Sequence, residues 1–138
     1  MGRRKELTEA LAGVGLFARC TKRELATVAR HVEVVDLADG TEIITQGGPG
    51  DAFFVILEGT ATVERDGDGL TEASAGDYFG ELALLDGQPR SATVRAKGPI
   101  TVAVLGVRMF RTLLREFPDI AEQLLAGLAG ELRQARGH

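Results

Sequence analysis

Phe79-Gly80-Glu81-Leu82-Ala83-Leu84-Leu85-Asp86-Gly87-Gln88-Pro89-Arg90-Ser91-Ala92-Thr93 places a carboxylate at Glu81, a guanidinium at Arg90 and a glycine-led run of backbone N–H groups within fifteen residues. A strand ends near Asp77-Tyr78-Phe79, and Gly80 is free to adopt a dihedral pair closed to other residues. Leu82-Ala83-Leu84-Leu85 suits one short helical turn, ended by the turn-forming Asp86-Gly87-Gln88-Pro89. The first N–H groups of such a turn lack an intrahelical partner and favour an anion. Arg90, just past the turn, carries a fork that can grip two oxygens of a phosphate. A phosphate repels a carboxylate, so Glu81 needs a neutral donor as partner, such as the 2′-hydroxyl of a ribose. That pairing also rejects deoxyribose, because a desolvated carboxylate left unpaired is costly. A structural salt bridge across the turn accounts for the same two residue types, and from residue types alone both readings stand.

Outward from this stretch, the chain reads as three parts. Residues 5–12 and about 21–31 have helical spacing, with Leu25, Val28, Ala29 and Val32 recurring at three and four. Thr21 with Glu24 three residues later is a capping-box signature for the second helix. From Val32 to Leu105, short β-branched runs alternate with Gly, Asp and Pro clusters, which predicts an antiparallel sandwich or roll. Asp66-Gly67-Asp68-Gly69 reads as a hairpin turn; as a calcium loop it lacks the twelve-residue pattern and a closing Glu. From Val107 the chain is helical again, split at Pro118, with Asp119 suiting a first helical turn. Ile120, Leu124, Leu125, Leu128 and Leu132 are expected to form one apolar stripe. Gly127 and Gly130 each cost a helix about 1 kcal/mol, so this last helix is marginal without a partner or ligand.

Composition fits a single domain over residues 1–138, with helices over 5–31, a β-roll over 32–106 and C-terminal helices over 107–136. At 44% hydrophobic residues the chain is globular and not disordered. Its longest apolar run, Ile100 to Val107, is far short of the roughly 20 residues a membrane helix needs. Met1-Gly2-Arg3-Arg4-Lys5 is not followed by a secretory apolar region, and Glu6 stands where myristoylation wants Ser or Thr. The lone Cys20 excludes an intramolecular disulfide framework and points to a reducing compartment, with the thiol as a small core hydrophobe. These features predict a cytoplasmic chain with no membrane partner. A net charge of −4 and a pI near 5.2 speak against nucleic acid as a partner. Arg3-Arg4-Lys5 is too short to change that and reads as a solvated end.

Phe79 through Val94 resembles the phosphate-binding cassette of the cyclic nucleotide-binding domain family. Gly87 through Lys97 is similar in motif to the sensing domain of the bacterial catabolite activator within that family. Gly40, Ile43-Ile44-Thr45-Gln46-Gly47 and Gly50-Asp51-Ala52-Phe53-Phe54-Val55-Ile56-Leu57-Glu58-Gly59 follow the family's spacing of turn glycines and short strands. Leu16-Phe17 and Glu24-Leu25 resemble its N-terminal helical entry. The resemblance implies a mainly β fold: an antiparallel β-roll of the double-stranded jelly-roll type, with N-terminal helices and a C-terminal helix pair. It implies Glu81 for the ribose, Arg90 for the cyclic phosphate, backbone from Gly80, Leu82 and Ala83, and Ser91 and Ala92 flanking the phosphate. Ser91 can alternatively bond the 2-amino group of a syn guanine. The ligand implied is cAMP in preference to cGMP, and no cofactor is implied.

The resemblance also gives the last helix a role as a lid or a homodimer seam answering to ligand; a helix packed on its own domain is the plainer alternative. Leu128, Glu131, Leu132 and Gln134 are candidates to cap the purine. An effector protein completes the expected partners. Catalysis finds no support: a metal roll needs a His-rich set where this chain has only His31 and His138, and no G-x-S-x-G is present. Family activators carry a DNA-binding module after the long helix, and none lies within these residues. The chain is expected to be a non-enzymatic sensor, either stand-alone or the sensing part of a larger regulator. A protein–protein adaptor that kept the fold and lost the ligand is the alternative.

Overall fold

The computed structural model describes residues 2–136, apart from the side chains of residues 2–5 and Leu70. His138 and the side chains of Arg3-Arg4-Lys5 thus lie outside the described residues. The chain forms two compact units, one from residues 31–110 and one from the residues before and after it.

The unit of residues 31–110 is built on strands β1 (Glu33–Leu37), β2 (Glu42–Ile44), β3 (Ala52–Arg65), β4 (Asp68–Ser74), β5 (Tyr78–Phe79) and β6 (Thr93–Gly106). They make one antiparallel sheet in the order β1-β6-β3-β4, with β2 also on β6 and β5 also on β3. The fourteen-residue strands β3 and β6 run the length of one another, from Ala52 opposite Gly106 to Glu64 opposite Thr93. Their register shifts on either side of Glu58, where an irregularity bends the pair. Asp66 (φ 55) and Gly67 (φ 83) close the β3–β4 hairpin with positive φ at both central residues, the geometry an Asp-Gly turn prefers. Ile44, Ile56, Ala61, Phe79, Val94, Ala96, Ile100 and Val102 form its core. Phe53 packs between Tyr78 and Phe110, with ring centroids 5.6 and 4.8 Å away.

The other unit is helical: α1 (Gly2–Ala12), a 3-10 turn (Gly15–Phe17), α2 (Lys22–His31), the end of α4 (Val107–Glu116) and α5 (Pro118–Arg136). The predicted capping box is formed: Thr21 N–H donates to Glu24 Oε1 at 2.9 Å, and Glu24 N–H to Thr21 Oγ1 at 3.1 Å. α5 starts at Pro118 and packs Ile120 and Leu124 on the 3-10 turn, whose Leu16 and Phe17 are buried. Cys20 is half-buried here, its thiol pushed up to about 11 first by burial and then by Glu24 and Asp119. It stays protonated near neutrality, which makes it a poor nucleophile.

The leucines of α5 do not form the expected single stripe. Ile120 and Leu124 are buried, whereas Leu125 and Leu132 are 64% and 52% exposed. Each helical residue turns by about 100°, and that step carries Leu125 out of the face that buries Leu124.

Candidate functional site

Helix α3 (Glu81–Asp86) is six residues long and is framed by two glycines in the left-handed region, Gly80 (φ 97) before it and Gly87 (φ 71) after it. This is the short turn expected from Leu82-Ala83-Leu84-Leu85. Gly80 is required twice over: by its φ, and because an added Cβ would stand 2.9 Å from Arg90 Nη1 and 3.0 Å from the Ala52 carbonyl oxygen. Gly50 is required by space, since a Cβ there would meet that of Ala83 at 2.4 Å. Residues 50–52 therefore run hard against both the turn and the guanidinium.

Arg90 is fixed at both ends. Its backbone N–H donates to the Gly48 carbonyl at 2.9 Å, and its carbonyl accepts from Gly47 N–H at 2.8 Å. At the tip, Nη1 donates to the Gly80 carbonyl at 2.8 Å and Nη2 to the Ala52 carbonyl at 2.7 Å, with Asp51 Oδ1 3.7 Å from Nη2. The side chain is 5% exposed. Burial lowers its pKa, opposed by Asp51 and then by Glu81. The two carbonyls use two of the five donors a guanidinium has.

Glu81 is the first residue of α3 and only 7% exposed. A carboxylate in a helix's first turn sits at the favourable end of its dipole. Its charge acts on Arg90 second to that of Asp51, whose Oδ1 stands 3.7 Å from Nη2. Glu81 and Arg90 are the buried charged side chains among the described residues. Burying a charge is expensive unless it is paired or used.

The other expected site residues also gather on this segment. Ala83 is buried under the turn while Leu82 is 46% exposed. Ser91 is exposed and Ala92 half-buried, directly after Arg90. Leu128, Glu131, Leu132 and Gln134 lie on α5, in the helical unit. Among the described residues no group of three or more His, Cys, Asp and Glu could hold a metal ion.

Sequence reading missed four residues around Arg90. Asp51 stands 39 positions before Arg90 and shows only as a residue after a turn glycine. Gln46 bonds Asp66 twice, Nε2 donating to Oδ1 and Asp66 N–H to Oε1, both at 2.9 Å. Arg65 Nε donates to the Ser91 carbonyl at 3.1 Å. The one local signal was the Asp-Gly turn, which places residues 65 and 66 at a hairpin tip but not against the cassette.

What this arrangement offers is a buried cation with donors to spare, a buried carboxylate at a helix start, and a glycine-led backbone between them. A model for the cyclic nucleotide-binding domain matches residues 34–117, more than half of the chain. The cAMP-dependent protein kinase regulatory subunit of Mycosarcoma maydis is 39% identical over 88% of this chain, which spans 25% of that protein. The regulatory domain of Toxoplasma gondii PKA, in a co-crystal structure with cAMP, is 32% identical with a TM-score of 0.82. That match covers 94% of this chain and 51% of the other. The catabolite activator protein of Thermus thermophilus is 28% identical with a TM-score of 0.82, over 88% of this chain and 60% of that one. Identity to this bacterial activator is thus below that to the two kinase subunits, although the Gly87–Lys97 motif resembles it. The matched segment contains all of the β sheet but Glu33, with the α3 turn, Glu81 and Arg90, and the chain belongs to the cyclic nucleotide-binding domain family.

Proposed function

We propose that this chain is a non-catalytic sensor of a cyclic nucleotide, with cAMP as its ligand. Glu81 accepts a hydrogen bond from the ribose 2′-hydroxyl, and Arg90 binds the cyclic phosphate with donors not committed to the Gly80 and Ala52 carbonyls. Backbone N–H groups of Gly80, Leu82, Ala83, Ser91 and Ala92 complete the site. The observation that carries this reading is that the two buried charged side chains of the described residues are the two the ligand requires. The relatives described with cAMP, in the kinase regulatory subunits, favour it over cGMP.

Binding acts by population shift between arrangements of the C-terminal helices. Asp51 supports this link, because its carboxylate faces Arg90 while its carbonyl accepts from Val107 N–H at 3.1 Å, at the first residue of α4. In this reading residues 1–138 work as one sensor domain within the cytoplasm, answering to an effector protein or to a second copy through α5.

The test is thermal stability with cAMP, cGMP and 5′-AMP at saturation. A ligand at 100 times its dissociation constant adds roughly 2.7 kcal/mol, or several degrees for a domain of this size. The expected result is a shift with cAMP, smaller with cGMP and absent with 5′-AMP, and lost in Glu81→Ala and Arg90→Ala. No shift with any cyclic nucleotide would leave an adaptor with the same fold.

A further inference from the structure

Three stretches distant in sequence meet on the C-terminal side of the cassette, where the backbone of residues 90–93 emerges. Gln46 N–H donates to Thr93 Oγ1 at 2.9 Å, and Arg65 Nε to the Ser91 carbonyl at 3.1 Å. The neighbouring Gly47 and Gly48 exchange backbone hydrogen bonds with Arg90 at 2.8 and 2.9 Å. The Gln46 side-chain amide then ties this loop to the β3–β4 hairpin tip through its paired bonds to Asp66, both at 2.9 Å.

Asp66 is the non-glycine residue with positive φ among the described residues, at 55°. Asparagine or glycine would serve the turn equally well, so the turn alone does not explain an aspartate. Its carboxylate is spent on Gln46.

We propose that the hairpin tip is a positioning clamp for the phosphate half of the site. Gln46, Asp66 and Arg65 set where the Arg90 backbone and the Ser91–Ala92 N–H groups stand, and so set ligand affinity without being the ligand's charged partners. The clamp rests on the cyclic nucleotide reading for its effect on affinity, but not for its effect on the backbone. The logic is preorganisation: N–H groups already held in place cost nothing to order when the phosphate arrives. Arg65 gives the clamp an electrostatic share as well, since it fixes a second cation beside Ser91.

The chemistry allows a swap that restores the contact, and cAMP affinity then reads whether the contact serves the site. Gln46→Glu removes the Nε2 donor and sets two carboxylates against each other, and adding Asp66→Asn restores a donor between the same two side chains. Calorimetric cAMP affinity and amide exchange of residues 90–93 without ligand would be measured in both variants and in Arg65→Ala. Gln46→Glu and Arg65→Ala should each weaken cAMP about tenfold, the scale of one charged hydrogen bond, and speed exchange at Ser91–Thr93. The double variant should return to within about twofold of the parent. Unchanged exchange and affinity in Gln46→Glu, or a double variant no better than the single one, would overturn the clamp. If the parent protein binds no cyclic nucleotide, the sensor reading fails by itself, and exchange in the unliganded variants still decides whether the clamp exists.

Discussion

Arg90 ties its surroundings together, because its two terminal nitrogens donate to carbonyls from different segments, Gly80 and Ala52. Lysine keeps the charge but not the planar fork. Arg90→Lys should therefore lower the unliganded protein's stability by about 1–3 kcal/mol, the cost of leaving a buried polar group unsatisfied. Gly80→Ala should do comparable damage from the other side, through left-handed strain of about 1–2 kcal/mol and a Cβ pressed on Nη1. Urea unfolding measures both, and two variants as stable as the parent would refute this account of the pocket. Glu81 and Arg90 are legible in the sequence because the turn between them is short and its glycines announce its shape. Asp51 and the Gln46–Asp66 pair are not, since their partners lie 39 and 20 residues away and only the folded sheet brings them together.

At the scale of elements, α3 and α5 show where local pattern succeeds and where it fails. The ends of α3 follow from Gly80 and Gly87, whose positive φ values glycine adopts more cheaply than residues with a Cβ. The capping box of α2 is equally local, since both of its bonds span three residues. The face of α5 is a different matter, because residue type does not say which of two adjacent leucines looks inward. Burial against the 3-10 turn decides for Leu124 over Leu125. Leu124→Ala should cost about 2–5 kcal/mol as a core truncation, while Leu125→Ala should stay within about 0.5 kcal/mol. Leu125→Glu then tests the seam separately: it should leave the fold intact and lower any self-association seen by analytical ultracentrifugation. A monomeric parent would remove α5 as a dimer seam and leave the effector protein as the reader of the signal.

For the whole molecule, the question is whether two compact units behave as one sensor. A ligand held at Glu81 and Arg90 belongs to the unit of residues 31–110, whereas most of the helical content belongs to the other. A signal can pass from one to the other only if their stabilities are coupled, since a ligand shifts an equilibrium by its differential affinity for the two states. The sequence supplies a clean pair of probes for this. It has one tyrosine and no tryptophan, so Tyr78 fluorescence reports on the sheet, while far-ultraviolet circular dichroism reports mainly on the helices. One cooperative domain requires both probes to melt together, with matching calorimetric and van't Hoff enthalpies. It further requires Leu124→Ala, a lesion confined to the helical unit, to lower the Tyr78 transition, and cAMP to raise the helical one. Should the tyrosine transition ignore Leu124→Ala while the helices melt early, nucleotide would still bind but could not be read by the C-terminal helices. The sensing mechanism would then have to pass through the surface of the sheet itself, where the exposed Leu82 and Leu85 of α3 flank the site.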